Sequence, residues 1–294
     1  MSWLAVRHAF HLAVNAALPR SGLSRWPMPP LLWATAAIHA GAALFLLAAP
    51  GQWHWALAAI AMNHAVLTAV GLWPRSTALG ENLVRLPAAA AMRREVALTI
   101  DDGPDPQVTP AVLDLLDAAG ARATFFCIAE RARRHPQLVR EIVRRGHAVE
   151  NHSHVHSHHF SLLGPRGFAR EILAAQAILA DVAGEPPRFF RAPAGLRNPF
   201  LAPVLHRLGL VLASWTRRGF DTRERDPQRV LQRLTRGLAA GDILLLHDGN
   251  CARDAQGRPV ILTVLPVLLA ELRRQQLVPA TLAQSLSPAR STAT

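Results

Sequence analysis

The chain contains no lysine and no tyrosine, and only two cysteines in 294 residues. Its 32 Lys/Arg positions are therefore all arginine, set against 20 acidic residues, and the net charge is +12. Cys127 and Cys251 lie far apart, which excludes the spacing of a disulfide framework or a cysteine-rich zinc module. Cys127 falls in the apolar run Ala123–Ile128, where a reduced core thiol is expected. A basic chain suits nucleic acid or an anionic membrane surface. No nucleic-acid-binding module accompanies the charge, and the apolar N-terminal third points to a membrane.

The longest absence is of charge itself. From Trp26 to Pro74 there is no Asp, Glu, Lys or Arg. A membrane-spanning helix takes about 20 residues, so this stretch has room for two, with Pro50-Gly51 as the break. Trp26 and Trp73 would lie at one interface of such a hairpin and Trp53 and Trp55 at the other, as an aromatic belt predicts. The alternative is a buried helical hairpin in a soluble protein. His39, His54 and His64 read as packing or interfacial residues. Arg7, Arg20 and Arg25 precede the stretch and Arg75, Arg85, Arg93 and Arg94 follow it, while its central turn is uncharged. The positive-inside rule then puts both ends in the cytoplasm. The expectation is a two-pass protein of a bacterial inner membrane with a cytoplasmic C-terminal domain. A cleaved signal peptide fits poorly, because the apolar run starts late and is too long. Residues 1–25, with Trp3, Leu4, Val6, Phe10, Leu12, Val14 and Leu18, suggest an arm lying on the membrane. Residues 75–94 read as a linker, 95–286 as the main folded domain and 287–294 as a disordered tail.

From Val96 onward short apolar runs alternate with helical patterns. Strands are expected at 96–101, 123–129, 147–152, 188–193, 211–216, 242–247 and 278–282. Helices are expected around 108–119, 131–145, 166–183, 199–209, 227–239 and 260–275. This alternation predicts an α/β domain with a parallel sheet and crossover helices, an irregular (β/α)7 barrel. Active residues in such folds gather where strands end.

Five stretches at those ends carry chemistry. Val96–Asp101 stops at two adjacent carboxylates, Asp101 and Asp102, followed by Gly103-Pro104. Like charges that close are unfavourable unless a cation or a proton intervenes; the competing reading is a helix N-cap. Glu150-Asn-His-Ser-His-Val-His-Ser-His-His159 sets His152 and His156 four apart, one helical turn, so that both imidazoles would share a face. Two histidines and a carboxylate, with positions left for water, form a catalytic rather than a structural metal set. His154, His158 and His159 read as surface residues. Phe189–Gly195 offers Arg191 as a fork for a carboxylate. Ser214–Thr222 offers an aromatic wall and Asp221, and Asp242–Gly249 puts His247 at a strand tip.

Taken together and in order, these stretches resemble the polysaccharide deacetylase family, carbohydrate esterase family 4, over roughly residues 95–286. Thr99–Pro104, His152–His156, Arg191–Gly195 and Leu245–Asp248 match four of its five motifs, and Ser214–Thr222 is a looser fourth. The resemblance implies a divalent metal on Asp102, His152 and His156, zinc first, with cobalt or nickel as alternatives. It implies Asp101 as the general base held by Arg191, and His247 as the general acid oriented by Asp221. Trp215, Leu245, Pro193 and Ala194 would form the substrate pocket. Two departures stand out: Ala194 replaces an aromatic residue, leaving only its backbone N–H for an oxyanion, and Asp221-Thr222 replaces an Asp-Trp pair. The implied function is hydrolysis of an N-acetyl or N-formyl group from an amino sugar of a glycan or lipid-linked glycan precursor. The alternative is a catalytically lapsed carbohydrate-binding scaffold of a membrane glycan assembly. The loops 104–108, 157–165, 217–226 and 249–259 would select the substrate.

Overall fold

The computed structural model describes residues 26–287; the expected N-terminal arm and residues 288–294 of the expected tail lie outside them. Two helices of 19 residues come first, α1 (Pro30–Ala48) and α2 (Trp53–Gly71), joined by a short turn at Pro50–Gln52. They pack against each other with Thr35 beside Asn63 and the rings of His39 and His64 edge-on, 5.3 Å apart. Apolar side chains cover their outer surface: Trp33, Leu47, Trp55, Met62 and Trp73 are exposed. Among the described residues, α1 alone is long and apolar enough to cross a membrane by length and composition. The sequence suggested two such helices. α2 matches α1 in length, but His54, Asn63 and His64 make it more polar.

Eight parallel strands follow: β1 (Glu95–Asp101), β2 (Thr124–Cys127), β3 (Ala148–Asn151), β4 (Phe189–Phe190), β5 (Val211–Leu212), β6 (Arg217–Arg218), β7 (Ile243–His247) and β8 (Val278–Ala280). Their order is β5-β4-β3-β2-β1-β7-β6, with β8 also paired to β1. Parallel neighbours cannot be joined by hairpins, so the helices serve as the crossovers between most of them. β1 is central and buried from Val96 to Asp101, as its unbroken apolar run implies for a strand covered on both faces. Each large apolar side chain buried here contributes about 1.5–3 kcal/mol.

The run expected as one strand over 211–216 is instead two, and they occupy opposite edges of the sheet. Seven strands laid flat would hold those edges about 29 Å apart, from six gaps of about 4.8 Å. Yet residues 213–216 alone connect Leu212 to Arg217, a reach of at most about 18 Å. The sheet must therefore curl into a barrel. The remaining gap is closed by the stretch that reads in sequence as a linker. Leu83 pairs with Ala213, the Leu83 N–H donates to Leu212 O and the Ser214 N–H to Leu83 O, and the Thr216 hydroxyl donates to Val84 O. Leu79, Leu86 and Ala90 are buried with it. Residues 75–94 thus belong to the barrel wall, because the two edge strands leave backbone groups that need partners.

The remaining differences are local. The helix expected at 131–145 breaks into Ala129–Arg134 and Pro136–Arg144, as the proline demands. The helix Pro165–Ala183 ends at Gly184 in the left-handed conformation, and Pro227–Thr235 starts on an Asp226 side-chain cap. Both cysteines are free, and Cys127 is buried in β2.

Candidate active site

The C-terminal ends of β1, β3 and β7 open into a cleft of about 790 Å³ lined by Asp101, Asp102, His152, His156, Ala194, Gly195, Trp215, Leu245 and His247, among others. Asp101 is the last residue of β1. Asp102 follows in the left-handed region, at φ 74°, which turns its carboxylate into the cleft beside Asp101 rather than away from it. Gly103 is required next: a Cβ there would stand 2.5 Å from the Asp248 carboxylate.

Asp102, His152 and His156 bring ligand atoms within 4.8 Å of one another. His152 Nε2 lies 3.2 Å and His156 Nε2 3.3 Å from Asp102 Oδ1. The four-residue spacing is closed by a turn, not a helix, with Ser153 at φ 67° and His156 at φ 55°. Two observations show that this set fits a metal ion. Asp102 Oδ1 is buried and accepts no hydrogen bond, so it is an anionic atom left without a partner. His152 Nδ1 sits 2.9 Å from Arg191 O; a proton on Nδ1 satisfies that carbonyl and leaves the Nε2 lone pair facing Asp102, the arrangement of a metal-ligating histidine. Burial disfavours charge on both Asp102 and His156. For His156 it combines with the neighbouring His152 to lower the pKa to about 4. At Asp102 burial is outweighed by the neighbouring imidazoles of His152, His247 and His156, which hold its carboxyl below the usual range.

Asp101 is not one of the three. Its Oδ1 accepts from Arg191 Nη1 at 2.6 Å, and its Oδ2 lies 3.8 Å from His152 Nε2. Arg191 is fully enclosed. Its Nε donates to Ala213 O, Nη2 to Ser214 O and Nη1 also to the Thr99 hydroxyl, and the guanidinium lies 4.0 Å over the Phe126 ring. It therefore ties the Asp101 carboxylate to the segment that crosses between the two sheet edges.

His247 ends β7. Asp221, wholly buried, accepts from its backbone N–H at 2.7 Å and faces Nδ1 at 2.8 Å. Burial disfavours the imidazolium, but the charge and hydrogen bond of Asp221, with Asp101 and Asp102 beyond, raise its pKa to about 9. Trp215 and Leu245 form the apolar wall. Pro193 is buried behind the cleft surface, whereas Ala194 is exposed into it at φ 54°. The next residue, Gly195, leaves no room for a side chain, since a Cβ would meet Pro74 and Trp215 at 2.6 Å. Of the histidines read as surface residues, His158 lines the cleft and His154 and His159 do not.

Two supporting residues carried no signal that sequence reasoning used. Asn250 Nδ2 donates to Asp102 Oδ2 at 3.1 Å, and Arg131 holds Asn250 Oδ1 and the Asp102 carbonyl, each at 2.8 Å. Asp248 accepts from the Thr109 hydroxyl and the Gly249 N–H beneath Gly103, and burial pushes its carboxyl up to about 7.

Comparison with known proteins agrees with this geometry. A family model described as polysaccharide deacetylase matches residues 89–213. A peptidoglycan-N-acetylglucosamine deacetylase of Bacillus cereus is 34% identical over 182 residues, 61% of this chain and 82% of the relative. A chitooligosaccharide deacetylase of Bradyrhizobium is 33% identical over 189 residues, 62% and 86% of the two chains. The solved structure of a family 4 carbohydrate esterase from Streptomyces lividans in complex with acetate superposes with a TM-score of 0.57 at 31% identity, covering 64% of this chain and 92% of that one. The chain belongs to the polysaccharide deacetylase family, a family of carbohydrate amide hydrolases.

Proposed function

We propose that the protein is a metal-dependent hydrolase that removes an N-acetyl or N-formyl group from an amino sugar of a glycan or lipid-linked glycan precursor. The observation that carries this reading is one cleft holding the Asp102–His152–His156 set, with Asp102 Oδ1 left without a hydrogen bond, between a carboxylate fixed by Arg191 and an imidazole fixed by Asp221. Nitrogen and oxygen donors in a two-histidine, one-carboxylate set suit zinc, with cobalt or nickel as substitutes. Such an ion would supply Lewis acidity toward the acyl carbonyl and make a water more acidic. Asp101 takes the proton of the attacking water. The Ala194 N–H has no acceptor among the described residues and is free to donate to the developing oxyanion. His247 enters protonated and gives its proton to the leaving amine. Trp215 and Leu245 enclose the acyl group.

Acyl release from N-acetylated chitooligosaccharides by detergent-purified protein tests the reading. Release is expected to stop on chelation and to return with zinc or cobalt; release that persists without metal would overturn it. The same assay tests His247. The Asp221 carboxylate favours the acid form of His247, so kcat/KM is expected to fall only on the alkaline side, above the ordinary histidine value. Asp221→Asn removes the main cause that raises this pKa and is expected to move that fall toward the ordinary histidine value of about 6.5. An alkaline limb that stays in place in the variant would assign it to another group.

The membrane reading also belongs to the proposal. The apolar surface of α1 and α2 spans the bilayer twice, and Arg75, Arg85, Arg93 and Arg94 keep the catalytic domain on the cytoplasmic side. Alkaline phosphatase fused after Pro74 is expected to be inactive, and an active fusion would reverse the orientation.

A further inference from the structure

Four arginines line the cleft besides those assigned to chemistry: Arg131, Arg134, Arg218 and Arg223. Two are engaged. Arg131 holds Asn250 and the Asp102 carbonyl, and Arg134 pairs with Glu130, the acidic residue on that wall. Arg218 differs. It sits on β6 in register with Leu245 of the acyl wall, about one strand spacing of 4.8 Å away. Its neighbour Arg217 is paired with Asp242, yet Arg218 has no carboxylate partner and no hydrogen-bond acceptor among the described residues, and its Nε is enclosed without one. The guanidinium carbon lies over two rings, 5.2 Å from the centroid of Trp215 and 5.1 Å from that of Phe220. Phe220 takes the left-handed conformation, at φ 62°, unusual for a bulky residue. Arg223, on the same loop, is exposed and its side chain also has no ion pair or hydrogen bond.

A cation kept unpaired beside another cation, Arg191, loses stability that a negative ligand would restore. Contact with two rings limits the side chain's freedom in advance, so less order is lost when its N–H fork meets an anion. Two free arginines, each with a fork of N–H donors, suit the several acceptor oxygens of a phosphate group better than a single carboxylate.

Resting on the deacylase reading, we infer that Arg218 and Arg223 form an anion subsite and that the substrate is an amino sugar carrying a phosphate beside the amide that is cut. Two sources share this chemistry, a sugar linked through phosphate to a lipid and a soluble sugar phosphate or nucleotide sugar.

Calorimetric titration of the metal-stripped, detergent-solubilised full chain tests this without relying on turnover. N-acetylglucosamine 1-phosphate is expected to bind about 10- to 100-fold more tightly than neutral di-N-acetylchitobiose. Arg218→Gln is expected to bring that ratio close to 1, Arg218→Lys to keep part of it, and Arg223→Gln, at an exposed position that cannot unfold the domain, to lower it. Equal affinities in the wild type, or a ratio untouched by both glutamine variants, would overturn the subsite. Tighter binding of a polyprenyl-phosphate-linked sugar in micelles than of a nucleotide sugar would assign the lipid source, and the reverse the soluble one. Metal-dependent deacetylation with no phosphate preference would remove the subsite and leave the deacylase reading. Phosphate-dependent binding with no acyl release from any of these sugars would do the opposite.

Discussion

Asp101→Asn is expected to lower acyl release by about 10²- to 10⁴-fold, the range a positioned general base contributes, while zinc affinity stays near that of the wild type. The two halves of this expectation come from different contacts. Asp101 lies 2.6 Å from Arg191 Nη1, and the ligand-like contacts of His152 and His156 converge on Asp102 instead. Asparagine keeps the size of the side chain and can still accept from Arg191, but it cannot take a proton from water. The outcome is read by acetate release in zinc-loaded protein together with a zinc titration of the stripped protein. His152→Ala serves as the contrast, because it is expected to lose metal first. If the asparagine variant turned over at the wild-type rate, the base would have to be sought elsewhere; if it lost zinc as His152→Ala does, Asp101 would be a ligand.

The parts of this site that could be read from the sequence are those that end a strand. Asp101, Arg191 and His247 each follow an apolar run that a buried parallel strand requires, and a strand end has a definite place in a barrel. Position along the chain was therefore nearly enough to place them in one cleft. What was not legible depends on backbone turns and on contacts between distant segments. The spacing of His152 and His156 suggests a helix, but left-handed residues at Ser153 and His156 give the same approach of the rings through a turn. Asn250 and Arg131 are separated by more than a hundred residues and meet only because the loop after β7 and the helix after β2 lie over the same carboxylate. The sequence 211–216 reads as one strand, because nothing in its apolar pattern says that the barrel opens between Leu212 and Arg217. The same local reading made residues 75–94 a linker, since the pairing of Leu83 with Ala213 spans more than a hundred residues. Arg218 and Arg223 fall in the stretch 217–226 that reads as a substrate-selecting loop, but only the structure shows that the first lies on β6, unpaired and against two rings.

Arg191→Met is expected to destabilise the domain by about 3–5 kcal/mol, the effect of removing one partner from a buried ion pair. For a domain of this size each kcal/mol moves Tm by roughly 2–4 °C, so a fall of about 6–20 °C is expected by thermal unfolding. Methionine restores much of the volume over Phe126, which limits the cavity term. The loss then comes from polar groups. The Asp101 carboxylate is left buried without its cation, and the carbonyls of Ala213 and Ser214 lose their donors at the point where the chain crosses the open side of the barrel. A second substitution separates these causes. Adding Asp101→Asn to Arg191→Met removes the orphaned charge, so the double variant is expected to regain part of the stability while remaining inactive. Because the residues touch, their effects are expected to be strongly non-additive. A double variant whose loss equals the sum of the two single losses would mean that Arg191 stabilises the barrel through Ala213 and Ser214 alone, and that its contact with Asp101 serves the carboxylate's position rather than the fold.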